Sequence, residues 1–106
     1  MRLMTKELER KFEKYPLGSQ EDKGHEAEVL VKYFNPCGAG TWLITEGEKL
    51  NNGDWILFGL CNILEWEWGY LSLNELEEIE LPYGMKIERD LYTNKKYIKD
   101  FVDEEE

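Results

Sequence analysis

Trp55-Ile56-Leu57-Phe58-Gly59-Leu60, followed within a few residues by Leu64-Glu65-Trp66-Glu67-Trp68-Gly69-Tyr70, decides the fold. The first run is nearly all apolar and reads as a central strand, buried on both faces. In the second, Leu64, Trp66, Trp68 and Tyr70 alternate with Glu65, Glu67 and Gly69. A period of two predicts a strand with the aromatics turned inward and the glutamates outward. Ser72-Leu73-Asn74-Glu75 then matches a capping box, in which the serine takes a free amide and the glutamate reaches back. Leu73, Leu76 and Ile79 give the resulting helix its inner face, and Glu75, Glu77, Glu78 and Glu80 line the rest.

Working outward, Glu28 to Phe34 is a β-branched and aromatic strand, broken by Asn35-Pro36-Cys37-Gly38-Ala39-Gly40. Thr41 to Thr45 completes a hairpin with it, and Glu46 to Glu48 and Asn51 to Asp54 are turn regions. At the start of the chain Thr5 caps a short helix whose apolar stripe is Leu8, Phe12 and Tyr15. Pro16 and Gly18 end it, and residues 18–27 read as a mobile polar loop. Beyond the second helix Pro82-Tyr83-Gly84 turns the chain and Met85 to Tyr92 is extended. A last helix, capped by Thr93 or Asn94, shares Ile98, Phe101 and Val102 on one face, and residues 103–106 form a disordered acidic tail. The sum is an α+β single domain over residues 1–106: an antiparallel sheet of about four strands with helices packed on one face. Trp42 and Trp55 are expected in the same core layer as Trp66 and Trp68.

The 106 residues suffice for one core, and 42% apolar with 13% aromatic residues exclude disorder for the chain as a whole. No apolar run is long enough to span a membrane and no signal segment opens the chain, so a cytoplasmic location is expected. Thirteen basic residues face twenty-three acidic ones, for a net charge of −10. The excess is concentrated: residues 1–53 carry eight basic and nine acidic side chains, residues 54–106 five and fourteen. Binding to DNA works by replacing counterions with Lys and Arg, so direct nucleic-acid binding is disfavoured. A basic protein surface is the natural complement.

Candidate chemistry is sparse. Cys37 and Cys61 form no CxxC, and with His25 as the single histidine no usual zinc set can be assembled. Both cysteines read as reduced packing thiols. His25 lies in the polar loop without a nucleophile nearby in sequence. Glu65 and Glu67, about 7 Å apart along one strand, could in principle serve a hydrolase or bind magnesium, but they are also simply the outward positions of that strand. No phosphate-binding glycine loop is present. No enzyme, metal or cofactor is expected.

What remains is the acid itself. Glu65, Glu67, Glu75, Glu77, Glu78 and Glu80 fall in sixteen residues without a single base. Duplex DNA carries one negative charge per about 1.7 Å of axis, so a row of carboxylates coarsely copies one edge of it. An ordinary solvated helix face accounts for the same residues. Glu88-Arg89-Asp90 suggests a half-buried ion pair to Arg89 that clamps the structure.

Leu3-Met-Thr-Lys-Glu-Leu8, Val31-Lys-Tyr-Phe34, Thr41-Trp42, Thr45-Glu-Gly47, Phe58-Gly-Leu60, Gly69-Tyr-Leu-Ser-Leu-Asn-Glu-Leu76 and Ile87-Glu-Arg-Asp-Leu-Tyr92 occur in that order. Together they resemble a small bacterial domain family of unknown function carried by plasmids, phages and other mobile elements. The resemblance covers residues 3–92 and implies no catalytic residues. Relatives that look like this chain act as anti-CRISPR proteins, so the resemblance implies an inhibitor whose partner is an RNA-guided nuclease. Such nucleases hold DNA in a positively charged channel, where the six glutamates would compete. The alternative is an accessory or adaptor protein of plasmid or phage maintenance, binding through exposed aromatics and hairpin loops.

Overall fold

The computed structural model describes residues 1–105, with side chains through Val102. Five antiparallel strands form one sheet in the spatial order β4-β3-β2-β1-β5. They are β1 (Val31–Phe34), β2 (Thr41–Lys49), β3 (Trp55–Asn62), β4 (Trp66–Ser72) and β5 (Glu88–Arg89), joined by helices α1 (Lys6–Lys14), α2 (Leu73–Glu78) and α3 (Ile98–Glu105). The expected count of four is one short. The extra strand is a two-residue piece of the extended segment 85–92, paired with Tyr33 and Phe34 of β1.

β2 lies in the middle of the sheet, and every residue from Trp42 to Gly47 is buried. Successive side chains of a strand point to opposite faces, so both faces need cover. Trp42 and Ile44 pack with Leu8 and Phe12 of α1 and with Leu73 and Leu76 of α2. Leu43, between them, packs with Leu60 against Ile98, Phe101 and Val102 of α3. The helices therefore divide between the two faces, correcting the expectation that they share one. The tryptophans divide as well. Trp42 and Trp55 lie on the α1 and α2 side, Trp55 with its ring centroid 5.5 Å from that of Phe12, whereas Trp66 packs on the α3 side.

α1 begins as expected, with Thr5 Oγ1 accepting the Leu8 N–H at 3.2 Å. α3 is capped otherwise: Asp100 Oδ2 accepts the Tyr97 N–H at 3.1 Å, so neither Thr93 nor Asn94 starts the helix. The acidic run 103–106 continues this helix as far as Glu105; its side chains and Glu106 lie outside the described residues.

The run Glu46–Glu48, read as a turn, is instead the second half of β2. A β-bulge shifts the register between Ile44 and Glu46. Without it, Ile44 and Glu46 would share a face and a carboxylate would enter the apolar core. With it, Gly47 meets Phe12 and Leu57 while Glu46 turns to the opposite side. There Glu46 is 2% exposed and accepts the N–H groups of Gly18 at 2.6 Å and Gln20 at 2.8 Å. The Gln20 amide donates to the carbonyls of Glu28 and Thr45 and accepts the Glu28 N–H, all at 2.8 Å. The polar loop expected to be mobile is thus pinned, because Glu46 and Gln20 satisfy backbone groups that would otherwise be buried without partners.

Gly59 of β3 sits opposite Gly69 of β4, yet the two differ. A Cβ on Gly59 would collide with the Leu43 carbonyl oxygen and stand 2.9 Å from the Ile44 Cα, whereas one on Gly69 meets open space. Gly59→Ala is expected to cost about 2–3 kcal/mol or more, as overpacking against backbone does. Gly69→Ala is expected to stay within about 0.5 kcal/mol of the parent. Urea unfolding of the two variants side by side checks the difference.

Candidate functional site

Asp54 ties the acidic elements to the sheet. It ends the Asn51–Asp54 turn, and its buried carboxylate collects three donors. Oδ1 accepts the N–H groups of Trp55 at 2.7 Å and Asn74 at 2.9 Å, and Oδ2 accepts the Ser72 hydroxyl at 2.5 Å. Ser72 Oγ in turn accepts the Glu75 N–H at 3.3 Å. The expected serine cap is present, and Asp54 adds a second acceptor at the start of α2 from the turn that precedes β3. No spacing rule could signal this, because 18 residues separate Asp54 from Ser72.

All six glutamates singled out by the sequence are exposed. The ion pairs among the described residues are Lys32–Asp90, Lys49–Glu9 and Lys99–Glu26, and none involves these six. No Lys or Arg occurs anywhere from Leu50 to Met85, so β3, β4 and α2 carry no cation. The carboxylates do not form a single row, however. Glu65 sits in the turn before β4, not on the strand, so the expected same-strand pairing of Glu65 with Glu67 is absent. Glu65 and Glu67 border a depression of about 310 Å³ that also contains Trp42, Ile63 and Leu71. Glu75 borders the adjoining depression, which shares those three apolar residues and adds Ile79.

At about 100° per residue, Glu75 and Glu77 emerge on opposite flanks of α2. Glu77 acts electrostatically on the buried Tyr33 hydroxyl. Burial raises the pKa of that hydroxyl, Arg89 opposes the shift and the Glu77 carboxylate adds to it. Glu78 lies opposite the buried Leu73 and Leu76, and Glu80 follows the helix. Glu65, Glu67 and Glu75 therefore rim one apolar trough, and the other three carboxylates continue around α2.

The alternation expected for Leu64 to Tyr70 is also revised. Leu64 lies in the turn and is 97% exposed. Trp66, Trp68 and Tyr70 do share the α3 side, but among the described residues only Trp66 packs against the apolar face of α3. Trp68 and Tyr70 are 41% and 69% exposed and lean on Phe58, with centroids 5.6 Å and 4.8 Å away. The period of two was legible; which aromatics would be covered was not, because that depends on where α3 stops.

The remaining candidates play other parts. Burial pushes the Cys61 thiol up to about 11, which keeps it protonated and unreactive. Cys37 is exposed in the β1–β2 turn, and both cysteines are free. His25 lies on an exposed single turn of 3₁₀ helix, Gly24–Glu26. Asp90 pairs with Lys32 at 3.8 Å, not with Arg89, whose Nε is buried without a hydrogen-bond partner among the described residues. The expected Arg89 clamp is not formed.

Burial opposes the charge on Asp54, but the Ser72 hydroxyl and the N–H groups of Asn74 and Trp55 outweigh it and hold the carboxyl below its ordinary 3.8. A carboxyl with a depressed folded pKa stabilises fully above its unfolded value and loses that contribution as pH falls through the folded one. Asp54→Asn is expected to cost about 1–2 kcal/mol near neutral pH. The gap to the parent should narrow below about pH 4. Denaturation midpoints of the pair across pH 2–7 measure this; a gap independent of pH would mean that the charge contributes nothing.

No curated protein and no solved structure matches the chain. A family model described as protein of unknown function (DUF2958) matches residues 3–104. That span takes in α1, the whole sheet, α2 and nearly all of α3, so the chain belongs to the DUF2958 family.

Proposed function

We propose that the protein is a non-enzymatic inhibitor of the anti-CRISPR kind, acting in the bacterial cytoplasm on behalf of a mobile element. It occupies a basic, DNA-accepting surface of an RNA-guided nuclease with Glu65, Glu67, Glu75, Glu77, Glu78 and Glu80. The observation that carries this reading is that these carboxylates are all exposed and, among the described residues, none is in an ion pair, on elements that contain no Lys or Arg. Crowding like charges destabilises a fold, so an uncompensated cluster favours a use in binding. The partner class comes from the resemblance of the chain's motifs to mobile-element proteins of the anti-CRISPR kind. The likeness to DNA is one of charge density on a small face and not of phosphate spacing, since the carboxylates wrap around α2.

A second reading, an adaptor of plasmid or phage maintenance, is favoured by the exposed Trp68, Tyr70 and Leu64. Ionic strength separates the two, because screening weakens a charge-led contact first.

The test is titration of the purified protein into a DNA-cleavage assay with guide-loaded nuclease. The parent is expected to inhibit stoichiometrically, and added salt should relieve the inhibition. Reversing Glu65, Glu67 and Glu75 to Lys is expected to raise the half-inhibiting concentration at least about a hundredfold while unfolding remains cooperative. Undiminished inhibition by that variant would remove the acidic face from the mechanism.

A further inference from the structure

We infer that the open edge of β4 is a strand-addition site that accepts an extended, lysine- or arginine-bearing segment of the partner protein. This deepens the proposal of a basic partner by naming how that partner is held.

The two edges of the sheet are treated differently. β5 is two residues long, and the outward N–H of Arg89 is covered by Met1 Sδ at 3.2 Å. β4 is seven residues long, contains no Lys or Pro, and ends the sheet with β3 as its only strand neighbour. Natural proteins blunt such edges with charged side chains, lysine above all, or with prolines, bulges or a covering segment. β4 carries a single charged side chain, Glu67, and among the described residues it has no proline, bulge or covering strand.

The bonding alternation shows which groups are free. Leu50 N–H bonds to the Asp54 carbonyl at the β2–β3 turn. Counting alternate residues from there turns Phe58 and Leu60 towards β2, and Leu57, Gly59 and Cys61 towards β4. Their β4 partners Leu71, Gly69 and Glu67 are thus engaged, and the N–H and C=O groups of Trp68 and Tyr70 point outward. The same counting across β1 leaves the Arg89 N–H outward, where it meets Met1.

Both faces beside this edge offer apolar contact, the Phe58 stack on one and the Ile63 and Leu71 trough on the other. Charge selects the occupant. Glu67 on β4 and Glu65 in the turn before it set negative charge beside this edge, with no cation from Leu50 to Met85 to offset it, and opposite charges across a strand pair are favourable. An incoming strand with Lys or Arg on the side facing Glu67 meets the opposite charge, while its alternate residues cover Trp68 and Tyr70.

A synthetic peptide of alternating lysine and valine is the probe, and amide hydrogen exchange of the full chain followed by NMR is the readout. With excess peptide, the Trp68 and Tyr70 amides are expected to slow by about tenfold or more, while the already bonded Gly69 amide changes little. Tyr70→Pro, which deletes one outward donor, should weaken peptide binding about tenfold or more relative to Tyr70→Val. The exchange result on the parent protein stands even if the proline variant misfolds. Peptide binding without protection of these two amides, or no binding, overturns strand addition. Neither bears on nuclease inhibition, which the charge-reversal assay decides separately. Protection that appears without peptide and grows with protein concentration makes a second copy the occupant, and also overturns the proposal.

Discussion

The two-sided burial of β2 governs this molecule. A strand whose residues from Trp42 to Gly47 are all out of solvent requires an apolar layer above and another below. Only three short helices are available to supply them, of nine, six and eight residues. α1 and α2 close one face and α3 closes part of the other. The cover is spent over the centre of the sheet, and β4 at the border remains half clothed. The exposure of Trp68 and Tyr70 follows from that shortage of helix, not from any local preference of β4 itself.

Much of the architecture is readable in the residue order. Thr5 and Ser72 were recognisable caps because a hydroxyl ahead of an apolar-periodic run has one obvious use. The period of two located β3 and most of β4, and the antiparallel α+β class followed. What escaped the sequence was long-range. Residue order alone does not say which side of a sheet a helix will cover, so the division of α1 and α2 from α3 was missed. Glu46-Gly47-Glu48 carries turn-forming composition, and only the bulge next to it and the amides of Gly18 and Gln20 make a strand of it. Asp54 reads as turn punctuation in the sequence because its partners Ser72 and Asn74 are distant in the chain. Of the candidate site, the residue identities and their exposure were legible, but their distribution around a six-residue helix was not.

Charge and shape act together on this face. The carboxylates of Glu65, Glu67 and Glu75 border a trough floored by Trp42, Ile63 and Leu71. Long-range attraction speeds encounter with a basic surface but is screened by salt, whereas apolar burial is not. A partner that satisfied both would be drawn in by the first and retained by the second. Asp54 matters to this although it touches no partner, because it fixes the start of α2 and with it the direction in which Glu75 projects.

The bulge in β2 has a bearing on how the chain can vary. Side chains to either side of it sit in opposite phase, so Trp42 and Ile44 share a face with Gly47 and Lys49 only because one additional residue intervenes. Inserting or deleting a single residue in this strand would exchange inside for outside along half its length. Length differences between members of this family are therefore to be sought in connections such as 51–53 and 63–65, where the count of residues carries no parity.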